Sequence, residues 1–470
     1  MSPETRIALD ELSRELDLEP RLTPFGALRY RGLHDAKGGG LALHIDDLSA
    51  LPLLDGITGI EFYQHRARVR SGDGDLFVTV TDACEGYEEY CRTKLRLGRP
   101  ELVVVEAPAN PIHVARAATA SRAWSRIVER ARRASHVVVH PYMAHEAVWE
   151  LAGRLRDAAS RPTTVLGPPP PITWLANDKR LFSEIVSRTL GAEALAETRV
   201  ARSASALAAA LVELAKRHPR VGLKRSRSVS GMGNEVFDGA ELLLASHLEV
   251  LERVEAFLRR TGEHEDEPVL AVAWETSSVS PSSQLWIPPL GSGAPRLDGI
   301  FEQILDDGVF IGSRPSTLPH CVHRMIRDAA ISVARSLQYL GYVGRCSFDH
   351  VVVGDLETSP RVLFVDCNGR WGGTSTPMNL VDRLFAHAPR RATYRAQDFT
   401  ATRLTGVPFT EILEAIGGQL FDPVTRSGRY VFYNVEPLAR WGKMDVIAFG
   451  RDRAASDAAL LEDLPKLLKI

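Results

Sequence analysis

Residues 344–370 read GRCSFDHVVVGDLETSPRVLFVDCNGR, which is two runs of β-branched and apolar residues around a loop rich in Gly, Asp, Thr, Ser and Pro. This pattern predicts a β-hairpin with strands at 342–353 and 361–368. Symmetric pairing about the loop sets 351–353 opposite 362–364. The hairpin is therefore predicted with a definite register, from which the positions of its polar side chains follow.

The register brings acidic residues together. It places Asp349 opposite Asp366, and the period of two in a strand places Asp366, Asn368 and Arg370 on one face. Opposed carboxylates destabilise a sheet unless a cation lies between them, and two carboxylates with an amide oxygen suit Mg²⁺. The alternative is a structural network in which Arg345 or Arg370 neutralises the pair, and the hairpin alone does not decide between the two.

Lysine is scarce in the chain: eight of the 57 basic residues are lysines, which leaves 49 arginines. Lys224 ends a predicted strand at 220–224 and precedes a Ser/Gly segment that contains Gly231 and Gly233. Such glycines allow a tight backbone whose N–H groups can bind phosphate oxygens. Because the lysine precedes the glycines, the segment is neither a Walker A loop nor a dinucleotide fingerprint. An ordinary flexible surface loop is the alternative.

Three features in a fixed order resemble the ATP-grasp superfamily. Lys179 begins a predicted helix at 178–190, Lys224 precedes the glycine segment, and the acidic hairpin follows. The sequence 366–370, Asp-Cys-Asn-Gly-Arg, matches the family's metal-site pattern, which is usually Glu-x-Asn-x-Arg. Asp366 thus stands where most members have Glu.

The resemblance implies a role for each matching residue. Lys179 and Lys224 would contact the phosphates of ATP, Lys224 with a catalytic role, and Arg370 would stabilise an acyl phosphate or its tetrahedral successor. Glu275 ends a predicted strand where the adenine or ribose would lie, and an ordinary strand-end acid is an equal alternative. The remaining residues implied to bind ATP are Ser228, Ser230, Gly231, Gly233 and Asn234, and those implied to bind Mg²⁺, with Mn²⁺ as a substitute, are Asp349, Asp366 and Asn368.

Finer motifs resemble the pheganomycin-type peptide ligases within that superfamily. The segments are 280–284, 301–305 with Gly312, 368–374 with Pro377, and 441–443. The resemblance implies an ATP- and Mg²⁺-dependent carboxylate–amine ligase that forms a peptide or amide bond through an acyl phosphate, releases ADP and serves natural-product biosynthesis. The alternatives are an ATP-grasp kinase that stops at phosphoryl transfer and a catalytically inactive nucleotide-binding scaffold.

The length of 470 residues and the alternation of strand-like and helix-like segments predict a multidomain α/β (α+β) protein. Strands at 101–106 and 136–140 flank a predicted helix at 114–134, and a run of prolines at 168–171 forms a stiff connector. Together with the resemblance, this predicts an ATP-grasp fold behind an N-terminal α/β pre-ATP-grasp domain. The predicted divisions are 1–170, 171–275 for the small or lid subdomain, 276–395 for the metal-site subdomain, and 396–470 completing the catalytic domain.

Charge and hydropathy limit the partners. The net charge of −2 argues against a nucleic-acid binder, so the arginine-rich segment 116–133 is interpreted as a solvated helix face. No apolar stretch approaches the length needed to cross a bilayer, the N-terminus lacks a secretory pattern, and the five cysteines are scattered. These observations predict a cytoplasmic protein that binds small-molecule carboxylate and amine substrates, with no nucleic-acid or membrane partner and with a homodimer left open.

Overall fold

A computed structural model of the chain describes residues 1–30, 39–54, 56–229, 231–262, 267–275, 277, 279–306, 308–385 and 392–470. The α-helices are Pro3–Glu15, Leu18–Leu22, Tyr87–Thr93, Val114–Ala120, Trp124–Arg133, Glu146–Ala159, Pro170–Asn177, Lys179–Leu190, Ala204–Ala215, Gly239–Leu244, His247–Thr261, His320–Tyr339, Ser375–Leu384, Phe409–Ile416, Leu438–Trp441, Arg453–Ala458 and Leu464–Leu467. 3₁₀-helices lie at Thr23–Leu28, Ile60–Val69, Ala192–Ala194, Thr402–Leu404 and Gly417–Gln419, and a π-helical turn lies at Ala459–Asp463. Among the described residues, no helix is both long and apolar enough to span a bilayer.

The first of three sheets is parallel and five-stranded. Its strands lie in the order Glu101–Val104, Leu76–Thr79, Gly40–Ile45, His136–Pro141 and Thr163–Val165. The predicted helix 114–134 is wrong as a single element because Ser121 interrupts it: the Ser121 hydroxyl accepts a hydrogen bond from the Ala123 N–H (3.0 Å) and donates to Glu106. A polar side chain that binds the local backbone competes with helix continuation.

The second sheet is antiparallel and four-stranded. Its strands lie in the order Thr198–Ala201, Val269–Ala273, Arg220–Arg225 and Asn234–Asp238. Helices Ala204–Ala215 and His247–Thr261 pack on it through a common apolar cluster. Gly239–Leu244 and His247–Thr261 are separate helices, because Ser246 and Glu249 form a capping box that starts the second one at residue 247.

The third sheet is antiparallel and eight-stranded. Its strands lie in the order Arg361–Asn368, Gly344–Val353, Pro281–Ile287, Arg296–Asp306, Val309–Pro315, Thr393–Thr400, Lys443–Gly450 and Tyr430–Tyr433. The proposed division between residues 395 and 396 lies inside the sixth of these strands, so both segments contribute to one sheet. The coexistence of the parallel sheet with two antiparallel sheets and their covering helices confirms the predicted α/β (α+β) class.

The first helix packs away from the parallel sheet that follows it in sequence. Leu9 and Leu12 belong to the same apolar cluster as Phe182 and Ile185 of helix Lys179–Leu190. Arg188 of that helix donates to the Ala8 carbonyl oxygen at 2.7 Å. The N-terminal helix is therefore part of the body built around the eight-stranded sheet.

The predicted hairpin is present, with strands Gly344–Val353 and Arg361–Asn368. The predicted register near the loop is wrong by one residue, since Val351 pairs with Leu363. A β-bulge at Val365 adds one residue to the second strand and restores the predicted pairing of Asp349 with Asp366. The acidic pair is therefore confirmed, although the symmetric pairing that predicted it holds only beyond the bulge.

Candidate active site

A cavity of about 650 Å³ is lined by both antiparallel sheets and by residues 48–63 of the N-terminal region. It collects most of the residues predicted from the sequence: Lys179, Lys224, Ser228, Gly231, Asn234, Glu275, Asp349, Asp366, Asn368 and Arg370. Gly233 lies in the same loop without lining the cavity, and Ser230 lies outside the described residues. We call the part around Asp349 and Asp366 the hairpin end.

The carboxylate pair is incompletely satisfied. Asp349 lies between Asp366 on one neighbouring strand and Ser282 on the other, and Asn368 Nδ2 donates to Asp349 Oδ2 at 3.0 Å. Asp349 Oδ1 is buried without a hydrogen-bond partner among the described residues. Burial and the neighbouring Asp366 raise the pKa of Asp349 to about 6. An unpartnered buried carboxylate oxygen is costly, so a cation at this position would relieve the repulsion within the pair.

The alternative in which an arginine neutralises the pair is wrong. Arg345 pairs with Asp298, and Arg370 donates to Asn177, so neither guanidinium contacts the two carboxylates. The cation on Asp366 is instead the ammonium of Lys179, with Nζ 3.2 Å from Oδ2.

The donor set at the hairpin end fits Mg²⁺. No group of three or more His, Cys, Asp or Glu side chains in the described part of the chain is arranged to hold a metal, so two carboxylates and an amide remain. Mg²⁺ is commonly held by one or two carboxylates together with substrate phosphates and water. Asn368 presents its NH₂ group to Asp349, and rotation of the amide would present its oxygen instead.

Lys179 is fixed at the first turn of its helix by contacts to the Ser/Gly segment between strands Arg220–Arg225 and Asn234–Asp238, which we call the glycine loop. Asp178 caps the helix by accepting from the Arg180 and Leu181 N–H groups at 3.1 and 3.2 Å, and it also accepts from Ser226 Oγ at 2.6 Å. Lys179 Nζ donates to Ser228 Oγ at 3.0 Å. The helix start and the loop thus hold the ammonium beside Asp366.

Lys224 ends the strand Arg220–Arg225 next to an aromatic wall. Its Nζ lies 4.8 Å from the centroid of the Trp274 ring. Burial lowers the pKa of Lys224 to about 8, the Lys179 ammonium adds to this effect, and Asp366 counteracts it. Two neighbouring lysines with one carboxylate partner leave positive charge for an anionic ligand such as a phosphate.

The glycine loop needs its glycines for close approach. Gly231 has φ +77°, and a Cβ there would lie 2.9 Å from the Gly308 carbonyl oxygen. A Cβ on Gly233 would lie 2.4 Å from Ser228 Cβ. Val229 of the same loop packs with Leu48 and Leu54 of the N-terminal region. The described part of the loop therefore lines the cavity and lies close to Gly308 and to the N-terminal region.

Asn177 positions the residues that follow the acidic strand. Its Oδ1 accepts from the Gly369 N–H at 3.1 Å and from Arg370 Nη1 at 2.8 Å, while its Nδ2 donates to the Thr173 and Gly369 carbonyl oxygens at 2.7 and 3.2 Å. Sequence reasoning missed this role, although Asn177 stands only two residues before Lys179. Arg370 keeps a buried Nε that has no partner among the described residues.

Glu275 lies just beyond the strand Val269–Ala273 and lines the cavity. Its position is compatible with both interpretations made from the sequence, so a role at the adenine or ribose stays a prediction.

A second group of charged residues lines the cavity at what we call the distal end, defined by Tyr63, Arg66, Asp398, Lys443 and Asp445. Sequence reasoning missed the group, apart from noting the 441–443 motif and the scarcity of lysine. Arg66 pairs with Asp445 (2.8 Å) and Lys443 with Asp398 (3.0 Å).

Comparisons with known proteins agree with this architecture. Residues 64–157 match the family model described as Pre ATP-grasp domain. No curated protein sequence matches the chain significantly.

Solved structures share the fold at low sequence identity. The carboxyaminoimidazole ribonucleotide synthase of Aspergillus clavatus, solved with ATP, is 11% identical, with a TM-score of 0.53 over 92% of this chain and 98% of that chain. The N5-carboxyaminoimidazole ribonucleotide synthetase of Thermus thermophilus is 15% identical, with a TM-score of 0.51 over 91% and 97%. The biotin carboxylase of Campylobacter jejuni, solved as a β-γ-ATP complex, is 13% identical, with a TM-score of 0.52 over 90% and 89%. The chain therefore has the ATP-grasp fold with a pre-ATP-grasp domain, as the sequence predicts.

Proposed function

We propose that the protein is an ATP- and Mg²⁺-dependent carboxylate–amine ligase that forms ADP through an acyl phosphate. The observation that carries the proposal is the meeting of Lys179, Lys224, the glycine loop and the Asp349–Asp366 pair at one end of one cavity. A nucleoside triphosphate with its metal ion needs cations and loop N–H groups for the phosphates and carboxylates for the metal. The fold shared with enzymes solved in complex with ATP supports the same assignment.

The reaction has two steps. A carboxylate oxygen of the acid substrate takes the γ-phosphoryl group of ATP, the bond between the γ phosphorus and the bridging oxygen breaks, and ADP leaves. The amine nitrogen then attacks the acyl carbon, the carbon–oxygen bond to phosphate breaks, and the nitrogen loses a proton. Bound Mg²⁺ would neutralise phosphate charge during the first step.

The lysines bind and orient the phosphates. Phosphate oxygens would take over the Lys179 ammonium, which leaves Asp366 free to share a metal with Asp349 and Asn368. Lys224 would add a second positive charge, and its lowered pKa would rise again once an anion lies beside it. The nucleotide would draw Lys179 away from Asp366, and the metal would take the place of Lys179 on Asp366.

Arg370 would stabilise the negative charge that develops on the acyl phosphate and its tetrahedral successor. Asn177 holds one of its Nη groups, and a buried Nε remains without a partner among the described residues. A preorganised donor of this kind typically contributes on the order of 10²–10³ in rate.

We further propose that the product is a peptide or amino-acid amide made in natural-product biosynthesis, as in the pheganomycin-type ligases. Support comes from the resembling segments 280–284 and 301–305, whose residues Ser282, Gln284 and Gln303 line the cavity. We also propose that the protein is cytoplasmic and accepts Mn²⁺ in place of Mg²⁺. The described cysteines are all free thiols, which is consistent with a reducing compartment.

The test incubates the protein with ATP, Mg²⁺ and a panel of carboxylic acids and amino acids, with and without hydroxylamine. Substrate-dependent ADP formation with a trapped hydroxamate is the expected result. A stable phosphorylated product without amide would identify a kinase instead, and ATP binding without ADP formation would identify an inactive scaffold.

A further inference from the structure

The distal end of the cavity repeats the arrangement that marks the hairpin end. Asp398 and Asp445 lie directly opposite one another on the sixth and seventh strands of the eight-stranded sheet. Asp349 and Asp366 lie on its second and first strands. The cavity wall therefore carries two separate pairs of opposed carboxylates, four or more strands apart.

The distal pair carries its own cations. Arg66 Nη2 lies 2.8 Å from Asp445 Oδ2, and Lys443 Nζ lies 3.0 Å from Asp398 Oδ2. Tyr63 contacts both cations: the centroid of its ring lies 3.7 Å from the Arg66 guanidinium carbon, and its hydroxyl lies 3.4 Å from Lys443 Nζ. Lys443 Nζ also donates to the Thr58 carbonyl oxygen at 3.3 Å. The charged side chains of the distal end are thus two positive and two negative ones.

Some of this charge remains available to a ligand. The Asp398 side chain is 30% exposed, whereas that of Lys443 is 7% exposed. The Asp445 side chain is 2% exposed, and its Oδ1 is buried without a hydrogen-bond partner among the described residues although Asp445 lines the cavity. Asn434 Nδ2 and Arg66 both donate to the other oxygen, Oδ2. The group is therefore neutral as a whole but not saturated with hydrogen bonds.

We propose that the distal end binds the zwitterionic head of an amino-acid substrate, with its ammonium on Asp398 and Asp445 and its carboxylate on Lys443. This inference rests on the proposed function, since it names the class of one substrate of that site. A simple anion would meet the opposed carboxylates, and a simple cation would meet Lys443 and Arg66. A buried charge without a counter-charge is strongly unfavourable, whereas a zwitterion gives every charge an opposite neighbour.

The first experiment measures binding, so that it does not depend on turnover. Calorimetry on the full chain with Mg²⁺ and a non-hydrolysable ATP analogue is run with each of the twenty proteinogenic L-amino acids. The tightest ligand is then compared with its carboxamide, which is a cation, and with its des-amino acid, which is an anion. We expect both analogues to bind on the order of 30-fold more weakly or worse. Equal binding by either analogue, or binding by none of the twenty, overturns the proposal.

The second experiment uses variants with a matched control. Asp398→Asn and Lys443→Gln should each weaken binding of the amino acid about 30-fold while the affinity for the ATP analogue stays unchanged. The control is Asp457→Asn: Asp457 is 28% exposed and held by Arg314 and Arg395, but it is not among the residues that line the cavity. Amino-acid binding that weakens as much in the control as in Asp398→Asn overturns the proposal.

The binding data also separate this inference from the proposed function. Discrimination between the zwitterion and its analogues with no ADP formation would refute the ligase and keep the binding site. ADP and hydroxamate formation without that discrimination would refute the binding site and keep the ligase.

Discussion

The two acidic pairs of the eight-stranded sheet share a geometry and differ in how their charge is balanced. At the hairpin end, Lys179 is the cation bound to Asp366, and Asp349 has no cationic partner among the described residues. At the distal end, Asp398 and Asp445 each have a cation of their own. Opposed carboxylates therefore do not predict a metal by themselves. What marks the hairpin end as a candidate metal site is that Asp349 has no internal cation among the described residues, whereas a ligand of the distal end has to bring charge of both signs.

The largest effect should come from removing a carboxylate whose cation is buried. Asp445→Asn would leave the Arg66 guanidinium, which is 11% exposed, without its counter-charge. Breaking a buried pair in this way typically costs about 3–5 kcal/mol. Urea denaturation should report that loss in the free energy of unfolding. Wild-type stability in this variant would mean that Arg66 finds another partner, and the contrast between the two ends would fail.

Removal of a carboxylate at the hairpin end should act on turnover instead. We expect Asp366→Ala to lower the ligase rate on the order of 10²–10³-fold at fixed Mg²⁺. Asp366→Glu should retain most activity, because Glu is the usual residue at this position in the superfamily that the motif resembles. Rates of ADP formation across a Mg²⁺ titration give the measurement. An alanine variant that needs no more Mg²⁺ than wild type would remove Asp366 from the metal site.

In the absence of metal, the protein should become more stable when the charge of Asp349 at the hairpin end is removed. The pKa of Asp349 is raised to about 6 from an ordinary value of 3.8, so the stability linked to this group is present below about pH 4 and is lost as the pH rises through about 6. In metal-free buffer near pH 8, we expect Asp349→Asn to exceed wild type by up to about 3 kcal/mol, from about two pKa units at 1.36 kcal/mol each.

Denaturation of both proteins between about pH 4 and pH 8 measures this difference, which should shrink toward the acid side. Added Mg²⁺ with an ATP analogue should reverse it, because only wild type gains a ligand for the metal. A variant that is less stable than wild type near pH 8 would contradict the assignment of Asp349 as an uncompensated carboxylate.

The smallest effect should come from the residue that positions Arg370. Asn177→Ala removes the acceptor of Arg370 Nη1 and of the Gly369 N–H. We expect kcat to fall about tenfold with the KM for ATP unchanged, since Asn177 acts through Arg370 and touches no phosphate. Asn110→Ala is the control, because Asn110 also accepts a backbone N–H but lies exposed in a loop. A rise in the KM for ATP with kcat preserved would place Asn177 in nucleotide binding.

Sequence reasoning predicted the features that depend on local residue patterns or on the order of known motifs. The hairpin, the acidic pair and the two lysines follow from strand periodicity and the motif order, and the structure brings them to one cavity. The register near the loop was not predictable, because a bulge at Val365 has no distinctive residue to mark it. Helix breaks at Ser121 and Ser246 depend on local side-chain hydrogen bonds that hydrophobic periodicity does not register.

The distal end escaped prediction for a different reason. Arg66 and Asp445 lie 379 positions apart and belong to different parts of the fold. Neither residue stands in a pattern that distinguishes it from the other arginines and aspartates of the chain. Only the tertiary structure brings such residues together, because their pairing depends on how the N-terminal region packs on the eight-stranded sheet.

The packing of the first helix has a consequence for biosynthesis of the chain. Leu9 and Leu12 are synthesised before the parallel sheet, yet the apolar cluster that buries them needs Phe182 and Ile185. The parallel sheet between them can complete its five strands by Val165. The nascent chain therefore carries an unburied amphipathic helix while the parallel sheet is synthesised. That helix can pack into its apolar cluster only when the catalytic body begins to fold.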